Sequence, residues 1–430
     1  MKRMKKLIAV TLFMIAVFGV AAPVYAQAVT LGDHELSSQG AIVIDCETGV
    51  VLFGLSENTR RVPASTIKVL AVYVVYDAIK AGKASLSTKA VISASTSEFS
   101  RDRTWSNVPL NEGASFTIRE LLEVVLIRSA CAATVALGEA VFGSEKNLIT
   151  RMKEKATQLG IDVRIYDSWG GSPDNRISPK GLAEITRGLI RDYPEVLDIT
   201  SKRNVTFNGV TYGTSNLLLG SYNGLDGFKT GFTNPAGYCF IGTALRNGRR
   251  LISVTMGSSL ESRYPDTKAM LDYGFAVADE KIDIALGIKR AKPSDASLVI
   301  DGVQWPLTAY LIDDYHYFKL RDVAFLLSGT EKQFGASWDA ETSTAVLTSG
   351  DPYESVGGEL ASVEDSRPYT RSGTVIYIND ILCALEIYMI DNNNYFRLRD
   401  MAELFDFSAI WIDETRTVII DTSEGFSNAA

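Results

Sequence analysis

Three short motifs stand in order along this chain: Ser65-Thr-Ile-Lys68, Ser129-Ala-Cys131 and Lys229-Thr-Gly231. A hydroxyl and an amine three residues apart share one helix face, so Ser65 Oγ and the Lys68 amine can meet. A serine becomes a nucleophile only with a base at hand, and a neutral lysine can be that base. Burial in the apolar run Val69-Leu-Ala-Val72, the positive end of the helix and the charge of Lys229 each push Lys68 towards neutrality. The same helix start frees the Ser65 N–H to donate to an oxyanion. The bland alternative is an amphipathic helix with a solvated lysine; the other two motifs weigh against it.

Together the three match the S-x-x-K, S-x-N and K-T-G set of serine acyl-enzymes, with one departure at Cys131. Ser129 can relay a proton between Lys68 and a leaving nitrogen. Lys229 to Thr233 read as a strand lining the site, where the Lys229 amine could hold a peptide's terminal carboxylate with help from Thr230 or Thr233. Gly231 leaves room for a substrate along that strand, and the geometry of the motif set makes the Phe232 N–H the second oxyanion donor. The competing reading is a surface edge strand whose lysine discourages aggregation.

The rest of the composition narrows the chemistry. There are two histidines, His34 and His316, and neither lies near a serine, acidic or glycine-rich motif. A serine–histidine triad or a histidine-ligated zinc site would have to use one of them, so the base is expected not to be histidine and no metal is expected. A net charge of −8 argues against nucleic acid as a partner. Cysteines 46, 131, 239 and 383 have no metal-type spacing, and Cys46, Cys239 and Cys383 read as buried free thiols.

The elements that must position these residues follow from pattern. Lys2, Arg3, Lys5 and Lys6, the apolar run Leu7 to Ala22 and Val24-Tyr-Ala26 read as a signal peptide, residues 1–26, cut before Gln27. An uncleaved anchor is the alternative, though Pro23 interrupts a run short for a bilayer. Gly40 to Gly54 reads as a hairpin, Thr66 to Ile79 as a buried helix, and Phe116 to Val141 as helix broken near Arg128-Ser129. Asn147 to Leu159 and Pro179 to Tyr193 read as amphipathic helices. Strands return at Gly227–Phe232, Gly237–Leu245 and Arg250–Gly257, the last two joined through Asn247-Gly248 in a type I′ turn, before a closing helix, Tyr264 to Phe275. Strands at both ends of a helical middle predict an α+β fold, an antiparallel sheet carrying helices.

Residues from about Ser38 to Phe275 resemble the D-alanyl-D-alanine carboxypeptidases among low-molecular-mass penicillin-binding proteins. Pro63 to Lys68, Leu225 to Thr233 with Ala236-Gly-Tyr-Cys239, and Asp266 to Phe275 carry the likeness. The resemblance implies a five-stranded antiparallel sheet with a helical cluster, the site lying between them. It also implies attack by Ser65 on the bond between two D-alanines of a peptidoglycan stem peptide, an acyl-enzyme, and acylation of the same serine by β-lactams. The family pattern has Asn where this chain has Cys131, replacing an amide that donates and accepts by a weak thiol. The expectation is an active enzyme whose hydrolysis is weakened, tilted towards transpeptidation or slow turnover. A silent penicillin-binding wall protein is the second reading. A serine β-lactamase is a third, disfavoured because no Glu-x-x-x-Asn segment lies between Cys131 and Lys229.

Beyond the catalytic stretch, 27–290, residues 291–430 contain an internal repeat. Tyr310 to Ala324 recurs as Tyr388 to Ala402, and each copy is followed by a Trp and a Glu-Thr turn, at Trp338 and at Trp411. Each copy reads as strand–helix–strand, with Asp351 to Ser372 a loop between them. This region resembles the stalk-like domain at the N-terminus of copper amine oxidases, without a ligand set for copper. Arg321-Asp322 and Arg399-Asp400 read as ion pairs or caps. Tyr315, Tyr317, Tyr395 and the tryptophans could touch cell-wall polymer, though core positions weigh more. The expected location is outside the cell, at the wall.

Overall fold

The Asn247-Gly248 pair turns the chain as its type requires, at φ 48° and 78°, and Arg246 pairs directly with Arg249 across it. The computed structural model describes residues 30, 31 and 34–427. The expected signal peptide, residues 1–26, lies outside the described residues, as does the end of the tail, 428–430. The chain divides into two compact units between Ala278 and Asp279.

In the first unit, β1 (Gly40–Asp45), β2 (Val51–Leu55), β3 (Leu225–Thr233), β4 (Gly237–Arg246) and β5 (Arg249–Ser258) form one antiparallel sheet in the order β2-β1-β5-β4-β3. The sheet thus joins the two ends of the unit, with the Lys-Thr-Gly strand β3 at its edge.

The helices between are α1 (Lys68–Lys80), α2 (Cys131–Phe142), α3 (Glu145–Gln158) and α4 (Pro179–Asp192). Val69 to Tyr76 are all buried, so α1 is apolar around its whole circumference and runs through the middle of the cluster. It packs on α3 and α4, and α4 lies on β1 and β5. Ser178 caps α4 by accepting from the Gly181 N–H, with Pro179 at the first turn. The expected helix over 116–141 is shorter and more broken. A strand, Ser115–Thr117, leads into a helix, Ile118–Glu123, and a wide turn, Val124–Arg128. The break falls at Ser129, whose φ of 68° no helix can continue. The closing helix is longer than expected: α5 spans Arg263–Leu286.

The second unit is two copies of one larger motif. The first copy is β6 (Lys289–Pro293), β7 (Ser297–Ile300), β8 (Val303–Trp305), β9 (Ala309–Ile312), β10 (Tyr315–Lys319), α6 (Leu320–Leu326), β11 (Phe334–Asp339) and β12 (Thr344–Ser349). The second is β13 (Arg367–Arg371), β14 (Val375–Ile378), β15 (Ile381–Cys383), β16 (Ile387–Ile390), β17 (Asn393–Arg397), α7 (Leu398–Phe405), β18 (Ser408–Ile412) and β19 (Thr417–Asp421). The repeat is therefore larger than strand–helix–strand, and the expected loop over 351–372 ends in a strand, β13. Six strands close into a barrel, β6-β9-β10-β17-β16-β13. Two four-stranded sheets flank it, and each takes one hairpin from either copy: β8-β7 pairs with β19-β18, and β15-β14 with β12-β11. Phe318, Phe334, Phe396 and Phe405 lie in a core of this unit's own.

Tyr317 and Tyr395 are buried core residues, whereas Tyr315 and Trp338 are exposed. Asp322 is buried and accepts from Thr308 Oγ1 and Leu360 N, and its ion pair is with Lys319 at 3.2 Å rather than with Arg321. Among the described residues, no helix is long and apolar enough to cross a membrane.

Candidate active site

Ser65 sits in a tight turn, Ala64–Ile67, that leads directly into α1. Two glycines from distant segments press on this turn. A Cβ on Gly231 of β3 would lie 3.0 Å from Ser65 N and 3.1 Å from Pro63 O. A Cβ on Gly170 would lie 2.0 Å from Ala64 O, and its φ of +89° already demands glycine. The glycine of the third motif thus makes room for the turn that carries Ser65.

Lys68 comes one turn later and points back at Ser65. Its Nζ donates to Ser65 Oγ at 2.8 Å and to the Trp169 carbonyl at 2.6 Å, and lies 3.4 Å from Cys131 Sγ. It is fully buried, and that burial lowers its pKa from the ordinary lysine value; Cys131 and Asp167 pull the other way. Repulsion between the Lys68 and Lys229 amines works in the same direction, disfavouring a charge on both at once.

Lys229 is also buried, and its Nζ donates to Ser129 Oγ and to Thr230 O, both at 2.8 Å. Burial, reinforced by Lys68, holds its pKa well below the usual range. The amine thus reaches two residues of the cavity wall, Ser129 and Thr230. The left-handed φ of Ser129 is what turns it off the helix towards this lysine.

These groups edge a cavity of about 600 Å³ lined by Ser65, Ser129, Cys131, Thr230, Gly231, Phe232 and Thr233. Phe232 stacks on Tyr238 with ring centroids 4.3 Å apart and is half exposed. Cys131 faces both the cavity and Lys68, its N–H bonded to Ser106 O. All four cysteines are free; Cys239 is buried, whereas Cys46 and Cys383, expected to be buried, are partly exposed. His34 bonds Asp266 of α5, and His316 belongs to the second unit.

Three features of the site carry no motif. The Asp167 carboxylate accepts from the backbone N–H groups of Trp169, Gly170, Gly171 and Ser172, which curls the loop and holds the Trp169 carbonyl against Lys68. Trp169 is wedged between Phe99 and Trp105. Arg263, at the start of α5, lines the cavity with its guanidinium stacked over Tyr238 and Tyr264, and no carboxylate pairs with it among the described residues. Ser215 Oγ lies 2.5 Å from Thr230 Oγ1 on the same wall.

Comparison with known proteins agrees with this geometry. The chain is 32% identical to the D-alanyl-D-alanine carboxypeptidase DacA of Haemophilus influenzae, over 56% of this chain and 63% of that protein. It is 30% identical to the D-alanyl-D-alanine carboxypeptidase DacF of Bacillus subtilis, with the same coverage. The chain thus spans a little under two thirds of the length of these curated relatives. Among solved structures, penicillin binding protein 5 from Haemophilus influenzae superposes with a TM-score of 0.55 at 31% identity, covering 58% of this chain and 73% of that one. Residues 26–259 match the family described as D-alanyl-D-alanine carboxypeptidase, and the chain belongs to that family.

Proposed function

We propose that the first unit is a serine D-alanyl-D-alanine carboxypeptidase acting on peptidoglycan stem peptides through an acyl-enzyme on Ser65. The carrying observation is the buried Lys68 amine, 2.8 Å from Ser65 Oγ and lowered in pKa by that burial. A neutral amine there takes the hydroxyl proton as Ser65 Oγ attacks the carbonyl carbon. The N–H groups of Ser65 and Phe232 face the oxyanion. Lys229 donates to Ser129 Oγ, so the Ser129 hydroxyl can give its proton to the departing nitrogen of D-alanine and take up the one Lys68 removed from Ser65, which returns Lys68 to its neutral form. Water attacks the ester next, with Lys68 again as base. Thr230, Thr233 and Arg263 offer the charge and hydroxyls that a terminal carboxylate needs, and the lysine of the third motif acts on it through Thr230 and Ser129. β-Lactams acylate Ser65 by the same steps and stall.

Labelling with a fluorescent penicillin and mapping the modified peptide tests the assignment: stable label on Ser65 is expected. Label that is shed rapidly would indicate a β-lactamase, and none at all a silent domain. Release of D-alanine from diacetyl-Lys-D-Ala-D-Ala tests turnover.

Cys131 favours a second component. A thiol beside Lys68 orients water and the substrate's peptide group less firmly than an amide, so acyl transfer to an amine gains on hydrolysis. Cys131→Asn is expected to raise D-alanine release relative to transfer onto an added amino acid. An unchanged ratio would remove this role. The leader-like segment supports export to the outer face of the cell, and N-terminal sequencing of secreted protein, with Gln27 first, is the check.

A further inference from the structure

The two copies in the second unit differ in what surrounds the tryptophan. In the second copy His316 packs against the Trp411 ring with centroids 4.9 Å apart, the indole N–H donates to Asp413 at 2.6 Å, and the residue stays 38% exposed. His316 is itself held by Ser294, at 3.1 Å. The matching residues of the other half are Trp338, Asn394, Ser372 and, where Asp413 stands, Ala340. Asn394 keeps the tether, with Oδ1 accepting from Ser372 Oγ at 2.8 Å, but an amide does not reach out as an imidazole does. Arg416, beyond His316, is matched by the much smaller Ser343.

Trp338 has no such ring beside it and is 52% exposed, against 38% for Trp411, on the wall of a cavity of about 500 Å³. Tyr353, Arg321 and the amides Asn392, Asn393 and Asn394 line it as well. Arg321 donates to Asn393 Oδ1 at 2.8 Å and forms no ion pair among the described residues. A flat aromatic face, several amides and one unbalanced guanidinium suit a ring that is apolar on one side and rimmed with hydroxyl, amide and acid groups.

We propose that this cavity binds a pyranose ring of the cell-wall glycan, laid on Trp338 where the other half lays His316 on Trp411. The identity of the glycan rests on the reading of the first unit as a peptidase of stem peptides, since those peptides hang from that strand. Arg321 would receive the acid group of an acidic amino sugar, and the asparagines its amides and hydroxyls.

The test is co-sedimentation of the full chain with glycan strands stripped of stem peptides by an amidase, with soluble stem peptide as a second probe. Two variants act in opposite ways. Trp338→Ala removes the platform, and Asn394→His fills the cleft with the ring that the other half carries. Both are expected to weaken glycan binding about tenfold or more, leaving D-alanine release from a soluble peptide unchanged. Binding that ignores both substitutions, no binding to stripped glycan, or binding to stem peptide alone would overturn the site. Absence of D-alanine release from the unaltered chain would instead remove the peptidase reading, and is scored separately.

Discussion

A lysine enclosed by protein loses the water that steadies its charge, and Lys68 shows the effect at the atom where it matters. Its base form is the deprotonated one, so acylation should rise with pH through a pKa below the ordinary lysine value of 10.5 and fall as acid restores the proton. Stopped-flow acylation by a fluorescent penicillin should therefore reach its plateau well before that pH. Lys68→Arg keeps a cation that cannot be deprotonated, and should cut the rate by about 10²–10⁴ and abolish the rise. A variant as fast as the parent would exclude Lys68 as the base. Arg263 carries a different prediction, because its charge lines the cavity without a protein carboxylate to satisfy it. Arg263→Gln should raise KM roughly 10- to 100-fold for peptides ending in a free carboxylate, from the worth of one charged hydrogen bond. Peptides ending in an amide should change little. An equal effect on both would point to disturbed packing on Tyr238 and Tyr264.

Elements enter the chemistry as backbone. The Asp167 loop offers Lys68 a carbonyl, and the loop holds its place because Gly170 has no side chain against Ala64 O. Gly170→Ala should displace the Ser65 turn, cost more than the roughly 1–2 kcal/mol of a left-handed alanine, and slow acylation sharply. Gly160→Ala is the control, since its φ is also positive, +69°, but nothing lies within 4 Å. It should show the backbone cost alone in a denaturant melt, with acylation intact. Equal losses at both positions would mean that contact with Ala64 contributes nothing. This contrast also marks what the sequence made legible. Ser65, Lys68, Ser129 and β3 were legible because helix spacing, the break at Ser129 and alternation along a strand are local signals. Asp167, Trp169 and Arg263 were not. The first two act through loop hydrogen bonds with no periodicity, and Arg263 reaches the cavity only because α5 begins where β5 ends. The bond from Lys229 to Ser129 was not legible for a related reason: a motif gives residue types, whereas the contact depends on the left-handed Ser129 across the site.

At the scale of the molecule, each unit has an apolar core of its own, one around α1 and one around Phe318 and Phe396. Two calorimetric transitions are expected, and only that of the first unit should rise when Ser65 is acylated, because ligation stabilises the part that holds the ligand. A single transition shifted as a whole would show that the cores melt together. In the second unit, the flanking sheets exchange hairpins between copies, β7 pairing with β19 and β12 with β14. One copy alone would be left with open strand edges in both places. Its simplest remedy is a second molecule of itself, so a fragment with one copy should appear as an intertwined dimer by light scattering. Growth of this module in evolution would then proceed by pairs, since an odd copy has no partner with which to trade strands.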